Sequence, residues 1–132
     1  MASTNKETPT TRVALVHIFL KQLQDLTEDN TMPTQQILLL TALYVRGQMN
    51  QGDLTKETGV AMSSCSRNIA KLGKGTFGTP GMGYVTQEED ERDRRIKLVR
   101  LTPKGKALIE EILERVSRAF GDKVHAVRTS PV

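Results

Sequence analysis

Tryptophan is missing from this sequence and cysteine occurs once. The aromatic rings are confined to Phe19, Tyr44, Phe77, Tyr84 and Phe120, apart from two histidines. Each shortage excludes something. A single thiol, Cys65, can close no intramolecular disulfide and furnish no cysteine-rich zinc site, and it fits a reducing, cytoplasmic setting. His17 and His125 stand far apart, with no carboxylate or thiol at ligand spacing, so no metal site is expected. No serine has a histidine and an aspartate placed to activate it, which argues against a hydrolytic triad and against an enzyme. The glycine-rich run GKGTFGTPGMG lacks the spacing and the following helix of a phosphate-cradling loop, and no cofactor motif is found. No apolar run approaches the roughly 18 residues that cross a bilayer. The opening stretch MASTNKETPTTR lacks the charged-then-apolar build of a signal peptide, so no membrane partner is expected.

Charge is what the sequence does have. The 132 residues suit one domain, with an apolar content of 37% and a net charge of +4. That charge is unevenly placed. Residues 1–60 hold five bases and six acids, a net of −1; residues 61–132 hold fourteen bases and nine acids, a net of +5. A basic half suggests an anionic partner such as nucleic acid, although a merely basic surface gives the same count.

Periodicity predicts mostly helix. Val13, Val16, Phe19, Leu20, Leu23 and Leu26 recur at helical spacing and make an amphipathic helix of about residues 10–27, after a polar start (1–9) expected to be disordered. A second helix follows in TMPTQQILLLTALYVRG, with Thr31 or Thr34 as its cap and Gly47 as its stop. QGDLTKETGV and AMSSCSRNIAKLG read as two short helices ending at Gly59 and Gly73. Residues 73–83, with five glycines and a proline, read as a loop. YVTQ and IKLVRL are β-type segments flanking a charged tip, Glu88 to Arg95, and predict a hairpin over 84–101. Thr102 then suits a helix N-cap and Pro103 the first helical position. The last helix (103–127) carries Ile109, Ile112, Leu113, Val116, Phe120, Val124 and Val127 on one stripe, with Gly121 as a possible break.

The third and fourth segments outline a helix-turn-helix. At 100° per residue, Met62, Cys65, Ile69 and Leu72 share the inner side of the fourth helix. Ser63, Ser64, Arg67 and Lys71 gather on the outer side, with Ser66 and Asn68 on the flanks. That outer face offers hydroxyls and bases and no carboxylate. Small hydroxyls allow close approach, and Arg or Lys reaches phosphates or guanine edges. Serine is a poor mid-helix residue, so a run of them on a face that only met solvent would be out of place. Cys65, on the inner side, reads as a packing residue rather than a redox sensor.

The run TKETGVAMSSCSRNIAKL, then DERDRRIKLVRLTPKG, then a long amphipathic helix resembles the MarR family of winged helix-turn-helix transcription regulators. The similarity covers roughly residues 10–127. Its most specific part is Asp93-x-Arg95, four residues, then RLTPKG feeding a helix. The resemblance implies a mainly α fold with a small β-hairpin wing (α+β), a DNA-binding lobe over 33–101 and a dimerisation region built from the helices at 10–27 and 103–127. It further implies a homodimer that binds double-stranded DNA, most often as a repressor, with helix 61–72 in the major groove and the hairpin in the minor groove. Carried over, Ser63, Ser64, Ser66, Arg67 and Lys71 lie on the recognition helix and Arg94 and Arg95 on the wing, with Asp93 holding the Arg95 side chain. Family members often take aromatic acids or lipophiles; the scarcity of aromatics here leaves a small-molecule effector, of unknown identity, open. Two features depart from the family pattern. TFGTPGMG stretches the step between recognition helix and wing, and Ala61 stands where a capping residue is common. A winged-helix module that binds protein, with DNA contact secondary or lost, is the alternative from a different class.

Overall fold

A computed structural model of the chain describes residues 8–27 and 32–120. Five helices and five strands follow one another within them: α1 (Pro9–Leu26), α2 (Thr34–Arg46), β1 (Met49–Asn50), α3 (Gln51–Thr58), α4 (Met62–Leu72), β2 (Gly75–Thr76), β3 (Thr79–Pro80), β4 (Val85–Asp90), β5 (Asp93–Leu101) and α5 (Pro103–Phe120). The described residues fall into two compact units, residues 32–109 and residues 8–27 with 110–120. No helix among the described residues is long and apolar enough to cross a membrane.

The larger unit is built on α2, α3 and α4. Leu39, Leu40 and Leu43 of α2, Leu54 of α3, Val60 of the turn and Cys65, Ile69 and Leu72 of α4 form its buried centre. The α3–α4 turn is short because Gly59 takes the left-handed conformation (φ 75°) and returns its N–H to the Thr55 carbonyl. Val60 then drops into the core while its N–H is held by the Thr58 hydroxyl at 3.2 Å.

Four sequence expectations need correction. Thr34 does not cap α2: it is the first helical residue, and Pro33 occupies the cap position without a side-chain bond. The fixed φ of Pro33 presents its carbonyl to the N–H groups of Gln36 and Ile37 instead. Met62 is 52% exposed rather than buried. It lies in the first turn of α4 and roughly 50° off the mean direction of Cys65, Ile69 and Leu72, at the margin of the apolar stripe.

Residues 73–83 are not an open loop. They hold a second antiparallel hairpin, β2–β3, with Gly75 opposite Pro80 and Thr76 opposite Thr79. A Cβ at Gly75 or Gly81 would run into the facing backbone, so glycine is what lets these segments close. The hairpin carries Phe77 fully exposed. Finally, the charged tip is short. β4 extends to Asp90 and β5 begins at Asp93, so only Glu91 and Arg92 turn the chain, and the other six charged residues lie within strands. Cross-strand opposition of unlike charges supports this: Glu89 faces Lys97, and Glu88 pairs with Arg100 at 3.4 Å.

β5 is the centre of a three-stranded antiparallel sheet in the order β1-β5-β4. β1 is only two residues long, Met49 opposite Val99 and Asn50 opposite Leu98, which is too short to leave a periodic trace in sequence. At the base of the hairpin, Thr102 ties three pieces together. Its N–H donates to the Tyr84 carbonyl at 2.9 Å, its hydroxyl donates to the Gly83 carbonyl at 2.6 Å, and the same oxygen accepts the Gly105 N–H at 3.1 Å. Thr102 is therefore the N-cap of α5. A Cβ on Gly105 would collide with the Tyr84 carbonyl.

In the other unit, Thr8 caps α1 by accepting the Thr11 N–H at 3.1 Å, and Pro9 opens the helix. Leu23, Thr27, Ile112 and Val116 are buried. Gln22 accepts a hydrogen bond from Arg115 at 3.2 Å, joining α1 to α5. Val13 and Val16 are 68% and 58% exposed, and Leu20 is 39% exposed. The C-terminal stripe is thus not all free: Ile112 and Val116 are already covered. Residues 1–7, Thr31, Gly121, Val124, His125 and Val127, which entered the sequence reading, lie outside the described residues.

Gly105→Ala should lower stability by about 1–3 kcal/mol, because the start of α5 must move off Tyr84. Thermal or urea unfolding checks this; an unchanged midpoint would contradict the close approach.

Candidate nucleic-acid interface

The interface candidate begins with what α4 leaves outside. Its packed positions, Cys65, Ile69 and Leu72, are essentially inaccessible, which fixes which side faces out. Ser63, Ser66, Arg67 and Lys71 are exposed and Ser64 is half-buried. Arg67 reaches the Ser64 hydroxyl at 3.4 Å, a long contact that leaves most of its donors uncommitted. No acid occurs between residues 61 and 72, so nothing on this helix repels a polyanion. Ala61 gives α4 no side-chain cap, and the free N–H groups of the first turn add partial positive charge there.

The wing is more constrained. Asp93 and Arg95 lie two apart on β5 and so on one face. Asp93 Oδ1 accepts both the Arg95 backbone N–H and its Nε–H, each at 3.1 Å, and Oδ2 accepts from Nη2 at 3.1 Å. The fork-to-fork pairing fixes the guanidinium plane. It leaves the Arg95 side chain 90% exposed, so the group is held in position while remaining open to a ligand. Arg95 pulls the Asp93 carboxyl below the usual carboxylate range, by its side-chain bond first and its backbone N–H second. Asp93 in turn raises Arg95.

Arg94 falls on the opposite face of β5 from Arg95, so the two arginines named from sequence are not presented together. Arg95 shares its face with Lys97 and Val99. A groove of about 330 Å³ runs beside them, lined by Asn50, Gln51, Met62, Arg95 and Lys97 among others, and so brings the first turn of α4 and the wing arginine to one concavity.

Sequence reasoning missed one wing residue. Arg92, in the turn, repeats the arrangement three positions earlier: Asp90 accepts its backbone N–H at 2.9 Å and its Nε–H at 3.5 Å. The Asp-x-Arg spacing, present twice in DERDRR as Asp90-x-Arg92 and Asp93-x-Arg95, was the available signal. Cys65 is fully buried, and burial pushes its thiol pKa up, which leaves it protonated and unreactive at neutral pH. Among the described residues no group of three His, Cys, Asp or Glu side chains is placed to hold a metal ion.

A helix-turn-helix followed by a three-stranded wing defines a winged helix-turn-helix. Residues 32–105 match the winged helix DNA-binding domain family, and the chain belongs to it. YdgJ of Bacillus subtilis (strain 168), an uncharacterized HTH-type transcriptional regulator, is 33% identical over 72 residues, 54% of this chain and 40% of the relative. The matched stretch therefore spans less than half of that relative's length. BpsR of Bordetella bronchiseptica, solved to explain regulation of its DNA binding by 6-hydroxynicotinic acid, is 25% identical with a TM-score of 0.55, over 83% of this chain and 81% of that one. A mutant MarR from E. coli complexed with operator DNA shares the fold at 19% identity and a TM-score of 0.56, over 89% of this chain and 77% of that one. The chain thus carries a winged helix DNA-binding domain, and its fold is the one seen in MarR structures.

The depressed Asp93 carboxyl has a definite sign. Its tether is complete above the ordinary carboxylate pKa of about 3.9 and is lost only as pH falls through the lower folded value. Carboxyl NMR should place the Asp93 midpoint below about 3.9, with the Arg95 Nε–H unmoved until then. A midpoint at or above that value would contradict the tether.

Proposed function

We propose that the protein is a homodimeric transcriptional regulator that binds double-stranded DNA sequence-specifically and acts as a repressor in the cytoplasm. In this reading α4 enters the major groove and the β4–β5 wing the adjacent minor groove. The observation that carries it is the outer face of α4, with exposed hydroxyls and two cations and no acid, on a helix whose other face is locked in a core.

Ser63, Ser64 and Ser66 permit close approach of the helix backbone and donate to phosphates. Arg67 and Lys71 are long enough to read guanine edges. Arg95, held by Asp93, enters the minor groove, where a narrow A·T stretch concentrates negative potential. Arg94 and the turn residue Arg92 add phosphate contacts. Two-fold pairing fits the apolar exposure of Val13, Val16 and Leu20 on α1, a stripe whose exposure favours a partner surface. A dimer seated on two half-sites covers a stretch of duplex and excludes other proteins from it, which is how repression follows from binding. The similarity to BpsR supports a small-molecule effector, of unknown identity, as a further partner.

The reading is tested by selecting bound sequences from random DNA and measuring affinities on the winner. Arg67→Ala should weaken binding to the selected duplex by about 1–3 kcal/mol and relax preference at one base pair. A uniform drop on all duplexes would make Arg67 a phosphate contact. Failure to enrich any sequence would favour a protein-interaction module instead. Deleting residues 1–26 should yield aggregates or an unstable monomer; a well-folded monomer in sedimentation would contradict the dimer.

A further inference from the structure

One polar cluster runs from the core of the larger unit to its surface, between α2 and α4. Gln36, on α2, is 2% exposed. Its Nε2 donates to Asn68 Oδ1 on the recognition helix at 3.1 Å. Asn68 Nδ2 donates in turn to Oε1 of Gln35 at 3.0 Å. Both ends of the Asn68 amide are thus taken by successive residues of α2. The remaining atom, Gln36 Oε1, is buried without a hydrogen-bond partner.

A buried acceptor with no partner destabilises the folded chain, and a leucine at position 36 would remove it, leaving only the half-buried Asn68 Oδ1 without its donor. Packing alone therefore does not explain this glutamine. What the amides supply is direction. The apolar contacts of Cys65, Ile69 and Leu72 tolerate a small roll or slide of α4, because dispersion contacts have little angular preference. Two hydrogen bonds to opposite ends of one amide do not. Asn68 stands next to Arg67 in sequence and one turn from Ser64 and Lys71, so the roll that it fixes decides where those side chains point.

We propose that Gln36 and Asn68 are specificity-positioning residues: the amide clamp to α2 sets the rotation of the recognition helix, and with it the discrimination between closely related DNA sites. This rests on the DNA-binding reading above, and it places the source of discrimination partly in a buried contact that touches no nucleic acid. Asn68, although it lies on the recognition helix, reads no base.

The test uses full-length protein and three probes: the duplex enriched by the wild type from random DNA, the same duplex with one base pair changed under α4, and an unrelated duplex of equal length. Gln36→Leu removes the unpartnered Oε1 and the donor of Asn68 Oδ1 together, so it should leave the thermal midpoint nearly unchanged and affinity for the unrelated duplex unchanged. It should cut the preference for the selected duplex over its one-pair variant by about fivefold or more. Asn68→Ala, at a half-buried position, should cause the same loss, and the double variant little more than either alone. Preserved preference in Asn68→Ala, or a loss that tracks falling stability and affects all three duplexes alike, overturns the proposal. Absence of any preference in the wild type overturns the DNA-binding reading itself, and is seen before a variant is made.

Discussion

The close approach of Gly105 to the Tyr84 carbonyl is the constraint on which the larger unit turns. At that point the first residues of the wing, the last residue of β5 and the first turn of α5 converge within the reach of one threonine. Any side chain at 105 pushes α5 away, breaks the Thr102 cap and loosens the base of the hairpin. A hairpin alone is marginal in water. Its base must be pinned if its far end is to hold an arginine steady. RLTPKG reads as a helix start in sequence; in the structure it is equally the clamp of the wing.

Much of the fold was legible because its signals are local and strong. The α1 stripe, the glycine stops at 47, 59 and 73, and the Thr102–Pro103 helix start all follow from short-range stereochemistry, and each appears within a residue or two of its expected place. Legibility failed where partners are distant or elements brief. β1 exists only because β5 passes beside Met49 and Asn50. The β2–β3 hairpin is read as a loop because glycine and proline are loop residues until their backbones meet. Glu88 to Arg95 looked like a solvated tip because strand propensity is low for charged residues, and cross-strand charge pairing outweighs that preference. At the candidate interface, the α4 face followed from a helical wheel. The bonding of Asn68 to two glutamines did not, since both partners lie more than thirty residues away in sequence.

The charged side chains divide by how they are held. Arg46 with Glu57, Lys21 with Asp25 and Arg100 with Glu88 are exposed pairs of the kind that contribute little to stability. Asp93 with Arg95 is also exposed, yet it differs in geometry: three hydrogen bonds converge on one carboxylate and leave the guanidinium aimed rather than neutralised. In the proposed function its value lies in the reduced freedom of an exposed guanidinium, which lessens the ordering cost of binding. The same logic applies to the α4 clamp. In both places a polar contact fixes direction for a neighbour that the proposed function sets against nucleic acid.

That principle is most directly tested by Asp93→Asn. The substitution removes a negative charge from the wing, and a pure charge-balance account predicts tighter binding to a polyanion. Affinity for one selected duplex, measured for wild type and variant across several salt concentrations, separates the two accounts. If Asp93 positions Arg95, the variant binds more weakly at every salt concentration despite its added net positive charge. Tighter binding of Asp93→Asn throughout the series would contradict the positioning role.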